Sequence, residues 1–397
     1  MNILHVIPNP FFFERGGLIR AYRQITLARE HGLQCHVVCY HLGRDIPEAV
    51  IHRIPAIPWY RNYAPGANVH RLYLDVLLLM TTWNLAKKFR PDIIHAHLHE
   101  GVFAALPLAR RLNIPLLFDA EGSLSGEMSA YGFFGTALFK IIERYLNRQS
   151  DFILTSSKQL FDTMRARFNV PNNRIVLFED HINTKLFFPR DPDPKRQEQF
   201  AIPAGAPVVL YFGSLDRLQG LDLLLDVAKI VASQVPRTHF LIMGFPDEKA
   251  WEDRFKRAGV LNSHFPGMVR RTEAAEYLSL GTVAVSAKRT GSSQGNGKLL
   301  DYMAMGLPVV AFDSEVNRDI LGEWGAYAPY KDVDRFAALV LDLIRNPQAR
   351  RKAGEALRRR VCDKFSSQTH GDKLLDIYTS IVKGDASNVK SPYRDTP

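Results

Sequence analysis

The sequence predicts an α/β protein made of two doubly wound parallel sheets. Short apolar runs alternate with longer amphipathic stretches along most of the chain, as buried parallel strands joined by crossover helices do. That alternation breaks once, over 179–206, where Pro189, Asp191-Pro-Asp-Pro194, Lys195-Arg196 and Pro203 interrupt it, and then restarts. A chain of 397 residues is also too long for one core of ordinary size.

The first half opens with a buried strand at 3–7, a loop through Gly16-Gly17 and a helix to about residue 31 that Gly32 stops. Residues 34–40 form the next strand. A Pro-rich irregular stretch at 54–66 leads into a helix ending near 89. Strand 92–96, helix 102–112, strand 116–119, helix 137–147, strand 152–155, a helix from Ser157 and strand 174–178 complete this half. After the break, strands are expected at 208–213, 238–243, 282–285 and 308–312, with helices at 221–233, 272–280 and 298–305. Helices at 336–344, 348–361 and 368–382 follow, and the polar end from 383 reads as disordered. The expected organisation is a first domain 1–180, a linker 181–206, a second domain 207–364, a last helix 365–383 and a disordered tail 384–397.

Composition is that of an ordinary globular protein, 46% hydrophobic and 23% charged. Cys35, Cys39 and Cys362 form no disulfide framework, and Cys35 and Cys39 share one expected strand, so reduced thiols in a cytoplasmic protein are the simple reading. The first strand begins at the first residues, which leaves no room for a signal peptide. The most apolar run, 73–83, is short for a bilayer and contains Asp75. A net charge of +10, shared by both halves, suits anionic ligands or an anionic membrane surface at which the protein is peripheral. A merely solvated surface stays open beside these, and the chain carries no nucleic-acid-binding signature.

The most informative stretch is Ser286–Asp313. A loop rich in Gly and Ser precedes a helix opening Lys298-Leu-Leu-Asp301, with Gly306-Leu-Pro308 as its stop. Free N–H groups and the helix dipole suit a diphosphate there. Lys298 and Asp301 share one side of the helix, a cation beside a carboxylate that accepts hydroxyls. An ordinary βαβ connection explains the same residues equally well.

Lys298-Leu-Leu-Asp301-Tyr-Met-Ala-Met-Gly306-Leu-Pro308-Val-Val310 resembles the donor-binding segment of retaining glycosyltransferases of family 4. The resemblance implies the GT-B fold, two Rossmann-like domains facing across a cleft, with the last helix returning to the first. It places Lys298, Leu299 and Asp301 at the donor, Asp301 on the ribose. Family members carry two glutamates with seven residues between them; here Ser293 stands for the first, with Gln294 beside it, and Asp301 for the second. The stretch Tyr211-Phe-Gly213-Ser214-Leu-Asp-Arg217-Leu-Gln219-Gly220 resembles the family block whose Arg and Lys hold the diphosphate. Those two positions are Ser214 and Gln219 here, a loss of two charge-assisted contacts that Arg217, Lys298, Lys288 and Arg289 are placed to offset. Gly16 and Gly17 match a Gly-Gly loop near the donor phosphates or acceptor.

Leu116-Leu-Phe-Asp119-Ala-Glu121-Gly122-Ser123 ends a strand where open α/β sheets bind ligands. Glu121 aligns with a family His near the reacting sugar and Asp119 is its neighbour. Either carboxylate orients the hexose or takes the acceptor proton; a helix-capping cluster is the structural alternative. His95, His97 and His99 alternate, which puts all three on one strand face. The family resemblance implies no bound metal and gives His97 a place in the cleft. Near 261–269, His264-Phe-Pro-Gly267-Met-Val resembles the family's strand and Gly turn beside the nucleotide base.

The resemblance therefore implies a retaining transfer of a sugar from a nucleotide diphosphate sugar, the donor substrate and not a cofactor, to a hydroxyl on a saccharide or lipid-linked saccharide. Its setting is assembly of a cell-surface polysaccharide or glycolipid. Two alternatives stand beside it, a catalytically silent partner protein that binds sugar nucleotides and a sugar-nucleotide epimerase.

Overall fold

A computed structural model describes residues 1–14, 16–63, 69–130, 136–289 and 295–384. Two sheets organise it. The first holds strands β1 (Asn2–Pro10), β2 (Gln34–Tyr40), β3 (Val50–Arg53), β4 (Ile93–His97), β5 (Leu116–Ala120), β6 (Phe152–Thr155) and β7 (Ile175–Leu177), in spatial order β3-β2-β1-β4-β5-β6-β7. The second holds β8 (Val208–Phe212), β9 (His239–Met243), β10 (Ser263–Gly267), β11 (Val283–Ser286), β12 (Val309–Phe312) and β13 (Ala326–Ala328), in order β10-β9-β8-β11-β12-β13. Every pairing in both sheets is parallel.

Period-two alternation buries each central strand on both faces. In β1, Leu4 and Val6 pack with Leu74 and Leu78 of helix Arg71–Phe89, whereas Ile3 and Ile7 pack with Leu18, Ala21 and Ile25 of helix Gly16–Glu30. Strand β8 repeats the arrangement. Val208 and Leu210 face Leu300 and Met303, and Val209 and Tyr211 face Leu224 and Val227. Strand order reverses between β1 and β4 and again between β8 and β11. These are the positions where open α/β sheets leave a crevice outside their carboxyl ends.

The two crossings between the halves run side by side. The Ile182 N–H donates to Phe365 O at 2.8 Å and Ser367 N–H donates to Ile182 O at 2.9 Å. Residues 182–206 are packed: Ile182, Phe187 and Ile202 enter the core of the second sheet, and Arg358 donates to the carbonyls of Thr184 and Phe187. A short helix, Pro194–Gln199, lies inside this stretch, with Pro194 in its first turn and the Asp193 side chain accepting from Arg196 N. The last helix, Ser367–Val382, puts Leu374, Ile377, Tyr378 and Ile381 into the first core.

Several elements differ from the sequence reading. Strand β3 was not expected, because His52 and Arg53 make it look polar; it is a partly exposed edge. Helix Glu248–Arg257 buries only Phe255, so it shows no apolar period. Helices Leu124–Ala130 and Glu315–Leu321 and strand β13 are too short to leave a pattern. The expected tail from 385 onward lies outside the described residues.

Tyr378 is the anchor of the returning helix: it is fully buried and its hydroxyl meets His95 Nδ1 at 2.8 Å. Tyr378→Ala is expected to cost ~3–5 kcal/mol of stability, as large aromatic truncations in cores do, measured by denaturant unfolding.

Candidate active site

The carboxyl ends of β1 and β4 face those of β8 and β11 across a cavity of about 270 Å³. Gly16, Gly17, His97 and Glu121 line it from the first half, and Gly213, Ser214, Gln219, Lys298 and Asp301 from the second. The structure thus gathers most of the expected residues at one place.

On the second half, the Asp216 carboxylate accepts from Leu218 N–H at 2.8 Å and starts a single turn, Arg217–Gln219. That turn aims Gln219 into the cavity and leaves Arg217 exposed outside its lining, contrary to the expected donor contact. Gly220 closes the turn at φ 69°, and a Cβ there would strike the Ala287 carbonyl, so only glycine lets the loops after β8 and β11 touch. Arg289 is also outside the lining, paired with Asp222 at 2.6 Å.

Beside Lys288, Lys298 supplies a cation to this wall. Its Nζ donates to Gln219 Oε1 at 2.5 Å and to Tyr211 Oη at 3.2 Å, and lies 4.5 Å from the Tyr211 ring centre. Burial, then the nearby Lys288, pushes its pKa down to about 7, with Asp216 acting in the opposite direction. The Leu299 and Leu300 N–H groups, expected to be free, donate to the Asn296 and Gly297 carbonyls, and the Leu299 side chain belongs to the core rather than the cavity. Ser293 and Gln294 lie outside the described residues. His264 and Gly267 form β10 at the edge of the sheet, and neither is part of the cavity lining.

Asp301 faces the cavity, yet its Oδ1 already accepts from Arg23 at 2.8 Å and Arg271 at 2.5 Å. Arg23 comes from the first half, so this carboxylate bridges the two. The reading of the sequence missed both arginines. A signal existed: Arg20 and Arg23 stand three apart on the helix after Gly16-Gly17, on its buried face.

On the first half, Gly17 and Glu121 explain one another. A Cβ on Gly17 would collide with the Glu121 carboxylate, so the missing side chain is what admits Glu121 to the cavity wall. Asp119 is placed differently from the expectation. It is fully buried, absent from the lining, and accepts from Arg20 Nη2 at 2.7 Å and Gln24 Nε2 at 3.1 Å. Burial opposes its ionisation, but the Arg20 guanidinium and His97 outweigh burial and hold the carboxyl below its ordinary range. Asp119 therefore acts through its neighbours. It lies 3.3 Å from His97 Nδ1, while His97 Nε2 meets His5 Nδ1 at 3.1 Å, so the ring that lines the cavity is held from both sides.

The three histidines do not share one face. His95 and His97 do, but β4 ends at His97, and Leu98 at φ 59° turns the chain into helix Leu98–Leu112, where His99 lies 4.0 Å from Glu143. Among the described residues, two groups, His5 with His95 and His97, and His97 with Asp119 and Glu121, have ligand atoms within 4.8 Å of one another. Neither suits a metal ion. In the first group, His5 Nδ1 and His97 Nε2 already meet one another at 3.1 Å and His95 Nδ1 meets the Tyr378 hydroxyl at 2.8 Å, so three ring nitrogens are engaged within the protein. In the second group a cation would compete with the Arg20 guanidinium for Asp119.

Asp119→Asn is expected to cost ~3–5 kcal/mol near neutral pH by leaving Arg20 under-compensated in the interior. Because the native pKa lies below the ordinary 3.8, this contribution is complete above that value and is lost as pH falls below about 4. Denaturant midpoints of the two proteins should converge in acid.

Comparison with known proteins agrees with this geometry. The model of Glycosyltransferase Family 4 matches residues 16–186, and that of Glycosyl transferases group 1 matches residues 206–346. Glycogen synthase of Mycobacterium tuberculosis is 24% identical over 307 residues, covering 75% of this chain and 71% of that protein. Alpha-D-kanosaminyltransferase of Streptomyces kanamyceticus is 25% identical over 313 residues, covering 74% and 80%. Among solved structures, sucrose-phosphate synthase from Thermosynechococcus elongatus superposes with a TM-score of 0.82 at 17% identity, over 96% of this chain and 99% of that one. Anabaena HepE in complex with UDP-glucose gives 0.76 at 15% identity, over 96% and 100%. With two parallel sheets facing across one cavity and both halves matched, the chain belongs to the family 4 glycosyltransferases of GT-B architecture.

Proposed function

We propose that this glycosyltransferase moves a sugar, with retention of configuration, from a nucleotide diphosphate sugar to a hydroxyl of a saccharide or lipid-linked saccharide in cell-surface polysaccharide or glycolipid assembly. The observation that carries this reading is the opposed placement of Lys298 and Asp301 against Glu121 and His97 in one cavity. The UDP-glucose complex of HepE supports starting from uridine diphosphate sugars as donors.

The diphosphate sits beside Lys298, which takes up a proton to meet it and stabilises the charge that grows as the sugar–phosphate bond breaks. Asp301 accepts the ribose hydroxyls with its orientation set by Arg23 and Arg271. The acceptor oxygen attacks from the face that the diphosphate leaves, which retains configuration. Glu121 orients the hexose and receives the acceptor proton. His97 borders the same space, and the enclosing halves keep out water that would hydrolyse the donor. Ser214 and Gln219 in place of two family cations also motivate a silent sugar-nucleotide-binding partner. Release of nucleoside diphosphate from a panel of nucleotide sugars with a mixed acceptor extract separates the two, and a donor that is bound but never turned over overturns the enzymatic reading.

Lys298→Ala is expected to weaken nucleoside diphosphate binding by ~1.5–3 kcal/mol, the range for a charged hydrogen bond. With the free lysine near pKa 7 and its charged form favoured by the ligand, wild-type affinity falls as pH rises above 7. Calorimetry in buffers of different ionisation enthalpy should register the proton taken up. Glu121→Gln should lower turnover about a hundredfold or more and leave nucleotide affinity unchanged, because the lost charge is needed only where hexose and acceptor meet. Turnover near wild type removes Glu121 from the chemistry.

A further inference from the structure

Helix Thr136–Gln149 is amphipathic the wrong way round for a soluble protein. Its stripe of Leu138, Ile141, Ile142 and Tyr145 points to solvent, with Leu138 60% and Ile141 66% exposed. Its inner face carries Glu143 and Asn147, both fully buried. Those polar groups are built into the fold: Glu143 accepts from Ser125 N–H at 3.0 Å, and Asn147 Nδ2 lies 3.2 Å from Met164 Sδ. The helix therefore cannot roll its apolar stripe inward without stranding a buried carboxylate.

The stripe does not stand alone. Helices Arg71–Phe89, Leu98–Leu112 and Thr136–Gln149 lie side by side on one face of the first sheet. The first of them exposes Leu72, Val76 and Met80, one residue per turn, and the second exposes Phe103. Basic side chains flank the apolar stripe at helical spacing, Lys140, Arg144 and Arg148 all being exposed. No helix among the described residues is long and apolar enough to cross a membrane. Apolar side chains that can sink below the headgroups, edged by cations that can meet lipid phosphates, define a helix lying in the membrane plane.

We propose that the outer face formed by helices Thr136–Gln149 and Arg71–Phe89 docks on an anionic lipid bilayer. The basic edge favours this occupant over a second copy of the chain, since a net charge of +10 on each copy opposes self-association. These helices run antiparallel to the strands they follow, so their N-terminal ends lie at the cavity end of the sheet, and Arg71 itself lines the cavity. Docking there brings the acceptor side of the cavity to the membrane surface. This inference rests on the proposed membrane-borne acceptor, but its test needs no turnover.

The full-length protein is sedimented with vesicles of phosphatidylcholine alone and with vesicles containing phosphatidylglycerol. It should partition onto the anionic vesicles and be released by salt. Lys140→Glu with Arg144→Glu should weaken partition about fivefold or more per position. Leu138→Ser with Ile141→Ser should weaken it about tenfold or more. All four positions are exposed, so melting temperature and nucleotide affinity should stay at wild-type values. Wild-type protein left in the supernatant with anionic vesicles overturns the proposal, as does partition that neither pair of substitutions alters. Dimers in light scattering that the same substitutions dissolve would assign the face to a second copy instead. Vesicle binding by a protein that turns over no donor in the nucleotide-sugar panel would overturn the proposed activity and leave the docking surface standing.

Discussion

Two buried arginines on helix Gly16–Glu30 hold the site together. A guanidinium cannot shed its charge at any ordinary pH, so once inside the protein it must be met by carboxylates and carbonyls. Arg20 gathers Asp119 from the end of β5, Phe178 O from beyond β7 and Asp180 at the crossing between the halves. Arg23, one turn later, reaches Asp301 in the second half. Such pairs add little net stability over apolar packing, but losing one partner is expensive. Their consequence is geometric: β5, the crossing and the helix of Asp301 are all registered against one helix.

The same helix begins at the Gly-Gly turn. Gly17 has no side chain, Glu121 fills the space, and Arg20 one turn on anchors Asp119 two residues before Glu121. Backbone and charge constraints thus converge on the carboxylate that faces the cavity. Opposite it, Gln219 supplies an oxygen acceptor to Lys298 where family members carry a cation. A lysine at 219 would repel Lys298, and glutamine instead holds it in place without neutralising it. Lys298 is thus a buried amine whose side-chain hydrogen bonds go to the neutral groups Gln219 and Tyr211.

What could be read along the chain followed from short-range physics. The buried strands announced themselves as apolar runs, and β2 and β6 match their expected bounds because no other structure suits such runs between glycine and polar stops. Helix Glu248–Arg257 and edge strand β3 were illegible, since one buried phenylalanine or four half-exposed residues leave no period. His99 was misplaced because a strand-like alternation continues in the sequence after Leu98 has turned the chain into a helix. Helix Thr136–Gln149 was found by its period, but its period could not say which face points inward.

The sequence by itself determined the fold class, the family and the set of polar residues near the strand ends, because these depend on local pattern and on a long specific motif. Tertiary structure alone decided what each of those residues does. Asp119 and Glu121 are indistinguishable as neighbours at a strand end, yet β5 stops at Ala120, so Asp119 stays within the sheet against Arg20 while Glu121, past the strand end, reaches the cavity wall. Arg23 and Asp301 are 278 residues apart and meet at 2.8 Å. Contacts across such separations are set by how the two sheets face one another, and no local periodicity carries that information.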